Sequence, residues 1–293
     1  VRRIKTFLAF VGALSIVGLS LLTLRACDDE ADPGANFGPG PPPATSTTAT
    51  SGSPTLDKIA LRKRLVVSMP RDKPGLSLPG PDGQLTGFDV EIARLVAAGL
   101  GLPADAVSFK PVPPSTVDDA LASGDVDLAF GGLLTGTPGL EQVGPYLNTS
   151  VDVLVPAGSP VTTVDQLAGA RVCAISATGD ADKLRARAPD VRVTEVAGAR
   201  QCLTQLRASQ AGAIVADDGV LRGLAAADPD AYRLLGAALA NQSYSTGVPG
   251  GDEVFAAKIT EILADAAAGG AWQDAYDLTL GASGVTASPP APR

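Results

Sequence analysis

The feature that most constrains this chain is an alternation of strand and helix patterns that occurs twice, on either side of an apolar extended segment. In the first run, Leu65 to Met69 reads as a strand and Asp89 to Leu100 as a helix whose apolar face is Val90, Ile92, Ala93, Leu95 and Val96. Val107 to Val112 is a strand, Ser115 to Leu121 a helix and Val126 to Phe130 a strand. In the second run, strands at Arg171 to Ser176, Val191 to Val196 and Ala213 to Ala216 alternate with helices at Asp180 to Ala188, Ala199 to Ser209 and Asp218 to Ala226. Each β-α-β-α order calls for a mostly parallel sheet covered by helices. VDVLVPAG, Val151 to Gly158, reads as a strand crossing between the two blocks. The amphipathic helix Asp252 to Ala267 and a last helix, Trp272 to Leu280, return the chain to the first block, and SYSTGVPGG, Ser243 to Gly251, suits the second crossing. Two α/β lobes joined by two extended crossings form a hinge, with a cleft that closes on a ligand. Strand ends and helix N-termini converge on such a cleft.

The ends of the chain carry a different composition. Val1 to Lys5 is basic, Thr6 to Leu24 is almost unbroken apolar sequence, and Cys27 follows at once. This reads as a targeting leader over residues 1–26. LRAC resembles a bacterial lipoprotein cleavage box that would make Cys27 the acylated terminus, although Arg25 departs from the small or apolar residue usual there. An uncleaved membrane anchor is the other reading. Both place the remainder outside the membrane, anchored to it. Residues 27–55, rich in Pro, Gly, Ser and Thr, read as a disordered tether, and residues 282–293 as a disordered tail. Lobe one is then expected over residues 56–150 plus 249–281, and lobe two over 154–245.

Composition excludes several classes of function. A net charge of −8 argues against a nucleic-acid surface. The absence of histidine removes the commonest general base, the usual Ser/His and Cys/His nucleophile pairs, and most transition-metal sites. No cofactor or metal is expected, and no enzymatic activity, because no carboxylate pair has a convincing catalytic spacing.

GQLTGFDVEIARLVAAGLG, ALASGDVDLAFGGL, VTTVDQLAGARVCAIS, AIVADDGVL and GGAWQDAYDLTLG fall in order between Gly83 and Gly281. Together they resemble the family 3 extracellular solute-binding proteins of ABC importers, of the polar amino acid and glutamine/glutamate type. The resemblance implies an α/β, two-lobe, type II periplasmic-binding-protein-like fold with two hinge crossings. It also implies a monomeric receptor that passes a small polar solute (an amino acid, an amine or similar) to an ABC permease or a membrane-bound sensor.

In that family an aspartate in a D-D pair takes the ligand ammonium, and Asp217 matches it. Its other reading is a helix N-cap, a role that suits Asp218 better. Thr178 and Gly179 match a turn at a helix N-terminus that favours anions, although Asp180 places a negative charge beside it. GGLLTGTPGLEQVGPYL, Gly131 to Leu147, reads as the cleft mouth, with Leu133 and Thr135 among its candidate ligand contacts. The family's carboxylate-clamping arginine is expected in this stretch, yet Gly139 stands in its place and no Arg or Lys occurs there. Arg71 is a candidate replacement, or with Lys73 a solvated loop charge. An amine or cationic solute fits these residues, and so does a ligand-site-degenerate interaction or sensor module that keeps the fold. Cys173 and Cys202 fall on a strand and a helix expected to pack together, and read as a structural disulfide or as two buried thiols. Trp272 and Tyr276, at helical spacing, read as core.

Overall fold

A computed structural model describes residues 51–132 and 140–291. In chain order its main elements are α1 (Pro54–Arg62), β1 (Leu65–Ser68), β2 (Leu78–Pro79), β3 (Leu85–Thr86), α2 (Phe88–Gly99), β4 (Val107–Lys110), α3 (Val117–Ala122), β5 (Leu128–Ala129) and β6 (Gln142–Pro156). There follow β7 (Arg171–Ile175), α4 (Asp180–Arg187), β8 (Arg192–Val196), α5 (Ala199–Arg207), β9 (Ala213–Asp217), α6 (Asp218–Ala227), β10 (Tyr232–Leu234), β11 (Ala240–Gly247), α7 (Glu253–Ala268) and α8 (Ala271–Thr279). The expected strand–helix alternation is present in both halves.

One sheet runs β4-β1-β5-β11-β6-β9-β7-β8, with β10 added beside β6, and β2 and β3 pair separately. Its outer blocks, β4-β1-β5 and β9-β7-β8, are parallel. The two crossings are members of the sheet as well as connections between its halves. β6 is 15 residues long and pairs antiparallel with β11, from Gln142↔Gly247 to Val151↔Ala240. It goes on to pair with β9, from Val151↔Asp217 to Leu154↔Ile214. β11 also meets β5 at Gly247↔Ala129.

These registers fix direction. β5 runs antiparallel to β11 and so heads toward the second block, while β9 runs antiparallel to β6 and heads toward the first. The carboxyl ends of both parallel blocks therefore face each other across the middle of the β6–β11 ribbon. Crevices at such carboxyl ends are the favoured ligand positions of α/β sheets.

The core follows the same path. Its largest buried cluster extends from Leu65, Phe88 and Ile92 through Leu147 and Tyr244 to Cys173, Ile214 and Leu221. A second cluster, including Val153, Leu167, Val172, Leu184 and Val215, fills lobe two alone. The chain has few aromatic residues, and several are gathered together: Phe88 meets Trp272 edge-on at 5.4 Å, and Trp272 stacks on Tyr276 at 5.4 Å. The Trp272 indole N–H donates to the Tyr146 carbonyl at 2.6 Å, which ties α8 to β6. Both residues are core, as their spacing suggests.

On one rim the lobes touch through bare backbone. A Cβ added at Gly75, at φ +70°, would lie 2.3 Å from the Gly223 Cα, and one at Gly223 would lie 2.2 Å from the Pro74 carbonyl oxygen. Only glycine at both positions lets the loop after β1 sit on α6.

Three local readings differ from the sequence expectation. The folded region begins earlier, because Ser53 caps α1 by accepting from the Leu56 N–H at 3.0 Å. Asp252 holds that cap, accepting from the Ser53 hydroxyl at 2.7 Å and the Thr55 N–H at 3.2 Å. At the other end, the tail beyond α8 lies on the body: the Tyr276 hydroxyl donates to the Val285 carbonyl at 2.7 Å, Ala287 packs on the core, and Pro290 is buried. The crossings start at Gln142 and Ala240, earlier than their apolar patterns suggest. Cys27 and the leader lie outside the described residues.

Cys173 on β7 and Cys202 on α5 are joined by a disulfide, with Cα atoms 5.4 Å apart and both residues fully buried. The bridge closes a loop of sequence separation 29. In the chain-entropy model such a loop contributes about 3–4 kcal/mol. A Cys173→Ala/Cys202→Ala variant should lose about that much stability in urea denaturation while keeping its far-UV circular dichroism.

Candidate functional site

Asp217 ends β9 and Asp218 begins α6, so both carboxylates lie where the two parallel blocks point at each other. Their roles in the helix are the reverse of the sequence expectation. Asp217 is the N-cap, and its Oδ1 accepts from the Gly219 N–H at 2.8 Å. Asp218 lies in the first helical turn, held by a buried ion pair with Arg222 one turn on, at 2.6 Å. It also accepts from the Ser150 hydroxyl at 3.0 Å. Arg222 draws Asp218 along the helix axis and leaves the capping position to Asp217.

Asp217 Oδ1 takes further donors from both crossing strands. The Tyr244 hydroxyl of β11 donates to it. The Thr149 hydroxyl of β6 lies 3.0 Å from Asp217 Oδ1 and 2.5 Å from Asp218 Oδ1, so its single proton serves one carboxylate at a time. The Gln242 amide is satisfied when its nitrogen donates to Asp217 Oδ2 at 3.1 Å and its oxygen accepts from the Lys183 ammonium at 2.9 Å. Lys183 also donates to Asp180, at 3.0 Å. A polar chain thus runs from Asp180 through Lys183 and Gln242 to Asp217.

That chain begins beside the Thr178–Gly179 turn. The Thr178 hydroxyl donates to the Ile175 carbonyl at 2.9 Å and accepts from the Asp180 N–H at 3.3 Å. Gly179 takes a left-handed conformation, φ 74°, as N-cap of α4. Arg71 is exposed and donates to the Gly83 carbonyl at 3.2 Å, and no described contact joins it to the Asp217 cluster. Leu133 and Thr135 lie outside the described residues, as does Gly139.

The first block contributes Asp89, which the sequence reading treated only as the start of a helix. Its side chain is fully buried, and Oδ1 accepts from the Tyr146 hydroxyl of β6 at 2.9 Å. Asp89 Oδ2 has no hydrogen-bond partner among the described residues. A signal for it existed: Ile92, Ala93 and Val96 follow it at helical spacing, so an aspartate sits within an apolar stripe. Tyr146 and Tyr244 have ring centroids 6.2 Å apart. Asp89, Tyr146, Tyr244 and Asp217 therefore join α2, both crossings and β9 in one buried cluster. Tyr244 and Gln242 share a face of β11 by the period-2 rule, but that face is identified only by pairing with β6.

Burial dominates the electrostatics. It pushes the Asp89 carboxyl up to about 7, with the Tyr146 hydrogen bond and the Lys73 ammonium holding it back and the Asp217 charge adding to the rise. Burial likewise pushes Asp217 up to about 6, opposed by the Tyr244 and Thr149 hydrogen bonds and aided by the adjacent Asp218 charge. Tyr146 and Tyr244 are driven well above the ordinary phenol value, first by burial and then by these carboxylates. Both phenols therefore remain donors at neutral pH.

A cavity of ≈ 360 Å³ between α1, α3 and the loop before α7 shares no residue with this cluster. Among the described residues no group of His, Cys, Asp and Glu could hold a metal ion. No helix among them is long and apolar enough to cross a membrane.

The family model for bacterial extracellular solute-binding proteins, family 3, matches residues 65–281, which includes both blocks, both crossings and the carboxylate cluster. The chain is a member of that family. A glutamine-binding protein of Geobacillus stearothermophilus is 29% identical over 234 residues, covering 78% of this chain and 87% of that protein. The ABC transporter glutamine-binding protein GlnH of Bacillus subtilis is 24% identical over 270 residues, covering 90% and 94%. Among solved structures, the ancestral amino acid-binding protein AncCDT-1, a precursor of cyclohexadienyl dehydratase, superposes with a TM-score of 0.62. It is 21% identical, covering 77% of this chain and 99% of that one. This likeness confirms the type II two-lobe fold.

The fully buried Asp89 and the half-buried Asp217 set a pH dependence. Asp89 and Asp217 have folded-state values above the unfolded value of 3.8, so the folded protein binds their protons more tightly. Their contribution to stability is full below that value and is lost as pH rises through about 6 and about 7. The thermal midpoint should fall between pH 5 and pH 8, and Asp89→Asn, which keeps an acceptor for Tyr146 but cannot ionise, should flatten the slope.

Proposed function

We propose that the chain is an extracytoplasmic receptor of an amino-acid-type ABC importer, and that its solute is recognised chiefly through an ammonium group. The observation that carries this reading is the position of Asp217. It is a half-buried carboxylate at the carboxyl end of β9, facing the first block, with Asp89 buried on the opposite side of the two tyrosines. A carboxylate in a closing cleft holds an ammonium through charge-assisted hydrogen bonds, each worth about 1.5–3 kcal/mol.

The stretch Gly131 to Leu147 supplies no cation for a solute carboxylate. A bidentate guanidinium fork is not replaceable by glycine. The pocket is therefore weighted toward cation recognition. Glutamine, named for two relatives, is a natural first probe, followed by other α-amino acids and by amines. The Thr178–Gly179 turn is the candidate lobe-two contact. We assign no enzymatic activity: the chain has no histidine, and both candidate carboxyls are already bonded to tyrosines. Delivery would be to a membrane permease or a membrane-bound sensor, with the leader or an acylated Cys27 as the anchor of a monomeric receptor.

A second reading has one observation in its favour. Asp217 Oδ1 is already served by internal donors from Tyr244, Gly219 and Thr149. A ligand site satisfied from within suits an interaction or sensor module that keeps the fold.

Thermal-shift and calorimetric titration with glutamine, glutamate, arginine and putrescine separates the two readings. The receptor reading expects saturable binding of at least one, weakened about ten- to a hundredfold in Asp217→Asn. No binding of any at millimolar concentration would leave the interaction module as the better account.

A further inference from the structure

The carboxylate that matches the ammonium site is in contact with a side chain of the protein itself. Tyr244 comes from the middle of β11, opposite Leu147, and is 3% exposed. Its ring is held between backbone from both lobes. A Cβ added at Gly132, just after β5, would lie 3.2 Å from Tyr244 Cζ. One added at Gly219, in the first turn of α6, would lie 3.1 Å from Tyr244 Cε2 and 3.1 Å from its hydroxyl. Glycine at both positions leaves room for the ring. The hydroxyl it carries donates to Asp217 Oδ1, the oxygen that also takes Gly219 N–H and faces Thr149.

One carboxylate oxygen has about two lone-pair directions, and this one already meets three donors. A solute ammonium approaching Asp217 Oδ1 must therefore displace one of them. The Gly219 N–H is fixed by the helix, and Thr149 can turn its proton to Asp218, 2.5 Å away. At this oxygen the Tyr244 phenol is the donor that a ligand has to replace, whereas Oδ2 faces, among the described residues, only the Gln242 amide.

We propose that Tyr244 is a built-in competitor for Asp217, and so determines which solutes the cleft holds. A full positive charge outbids a neutral phenol for a carboxylate, because a charge-assisted hydrogen bond is roughly twice as strong as a neutral one. A neutral hydroxyl or amide only exchanges one neutral donor for another and gains nothing. The residue thereby filters for solutes with a protonated amine and lowers the affinity of those it admits. This inference rests on the reading of Asp217 as the ammonium site.

The test is Tyr244→Phe, which keeps the ring between Gly132 and Gly219 and removes only the hydroxyl. Far-UV circular dichroism and urea denaturation establish that the variant is folded. A carboxyl carbon NMR titration of Asp217 should move upward, because a donor to the charged form is gone. Calorimetric titration with arginine, glutamine and putrescine should show at least one amine bound about three- to tenfold more tightly than by wild type. Equal or weaker binding by Tyr244→Phe, with the Asp217 titration shifted as expected, would overturn the competitor role and leave the receptor reading intact. No binding of any probe by either protein would overturn both. Equal loss of affinity on Asp217→Asn in the wild-type and Tyr244→Phe backgrounds would also overturn it, since a competitor for Asp217 makes the two substitutions non-additive.

Discussion

The antiparallel pairing of β6 with β11 is the interaction on which the rest of this structure depends. Each parallel block alone is an ordinary βα half-sheet. The ribbon of two crossings docks β5 on one edge and β9 on the other, and their opposite registers turn the carboxyl ends toward each other. That arrangement brings Asp217 of one half and Asp89 of the other to the same pair of tyrosines, Tyr146 on one crossing and Tyr244 on the other. The same ladder carries the largest buried cluster from one lobe to the other, through Leu147 and Tyr244.

The site manages negative charge mainly with neutral donors. Asp218 is neutralised by Arg222, both nearly fully buried. Asp217 and Asp89 are held by hydroxyl, amide and backbone N–H groups, with Lys183 and Lys73 further off. Donors of this kind pay part of the desolvation cost of a carboxylate without cancelling its charge. Arg222 is the one cation paired directly with these carboxylates among the described residues, and it serves Asp218 alone.

Much of the fold could be read from local pattern, and the departures share a cause. Helices α2 and α7 carry complete apolar stripes and fell within a residue or two of their positions. The crossings did not. The first half of β6, QVGPYLNTS, has no clean alternation and contains Gly144–Pro145, so its strand character comes from pairing with β11 rather than from its own residues. α1 had a serine cap and a proline in its first turn, but the Pro- and Ser-rich segment before it masked both signals. In the carboxylate cluster, the place of Asp217 at a strand–helix junction was legible through its Asp-Asp pair. Tyr244 was not, because its meeting with Asp217 depends on strand register across the sheet. Arg71 had the right chemistry, but the turn at Gly83 takes its guanidinium.

The backbone contact of Gly75 with Gly223 has a consequence for how natural variation would act on this molecule. A methyl at Gly223 would meet the Pro74 and Gly75 backbone, so its cost falls on the contact between loop and helix, whereas one at Gly75 would also meet Leu280 and strain a left-handed backbone. Variation at position 223 would therefore act on the seam between loop and helix without altering what either lobe is made of.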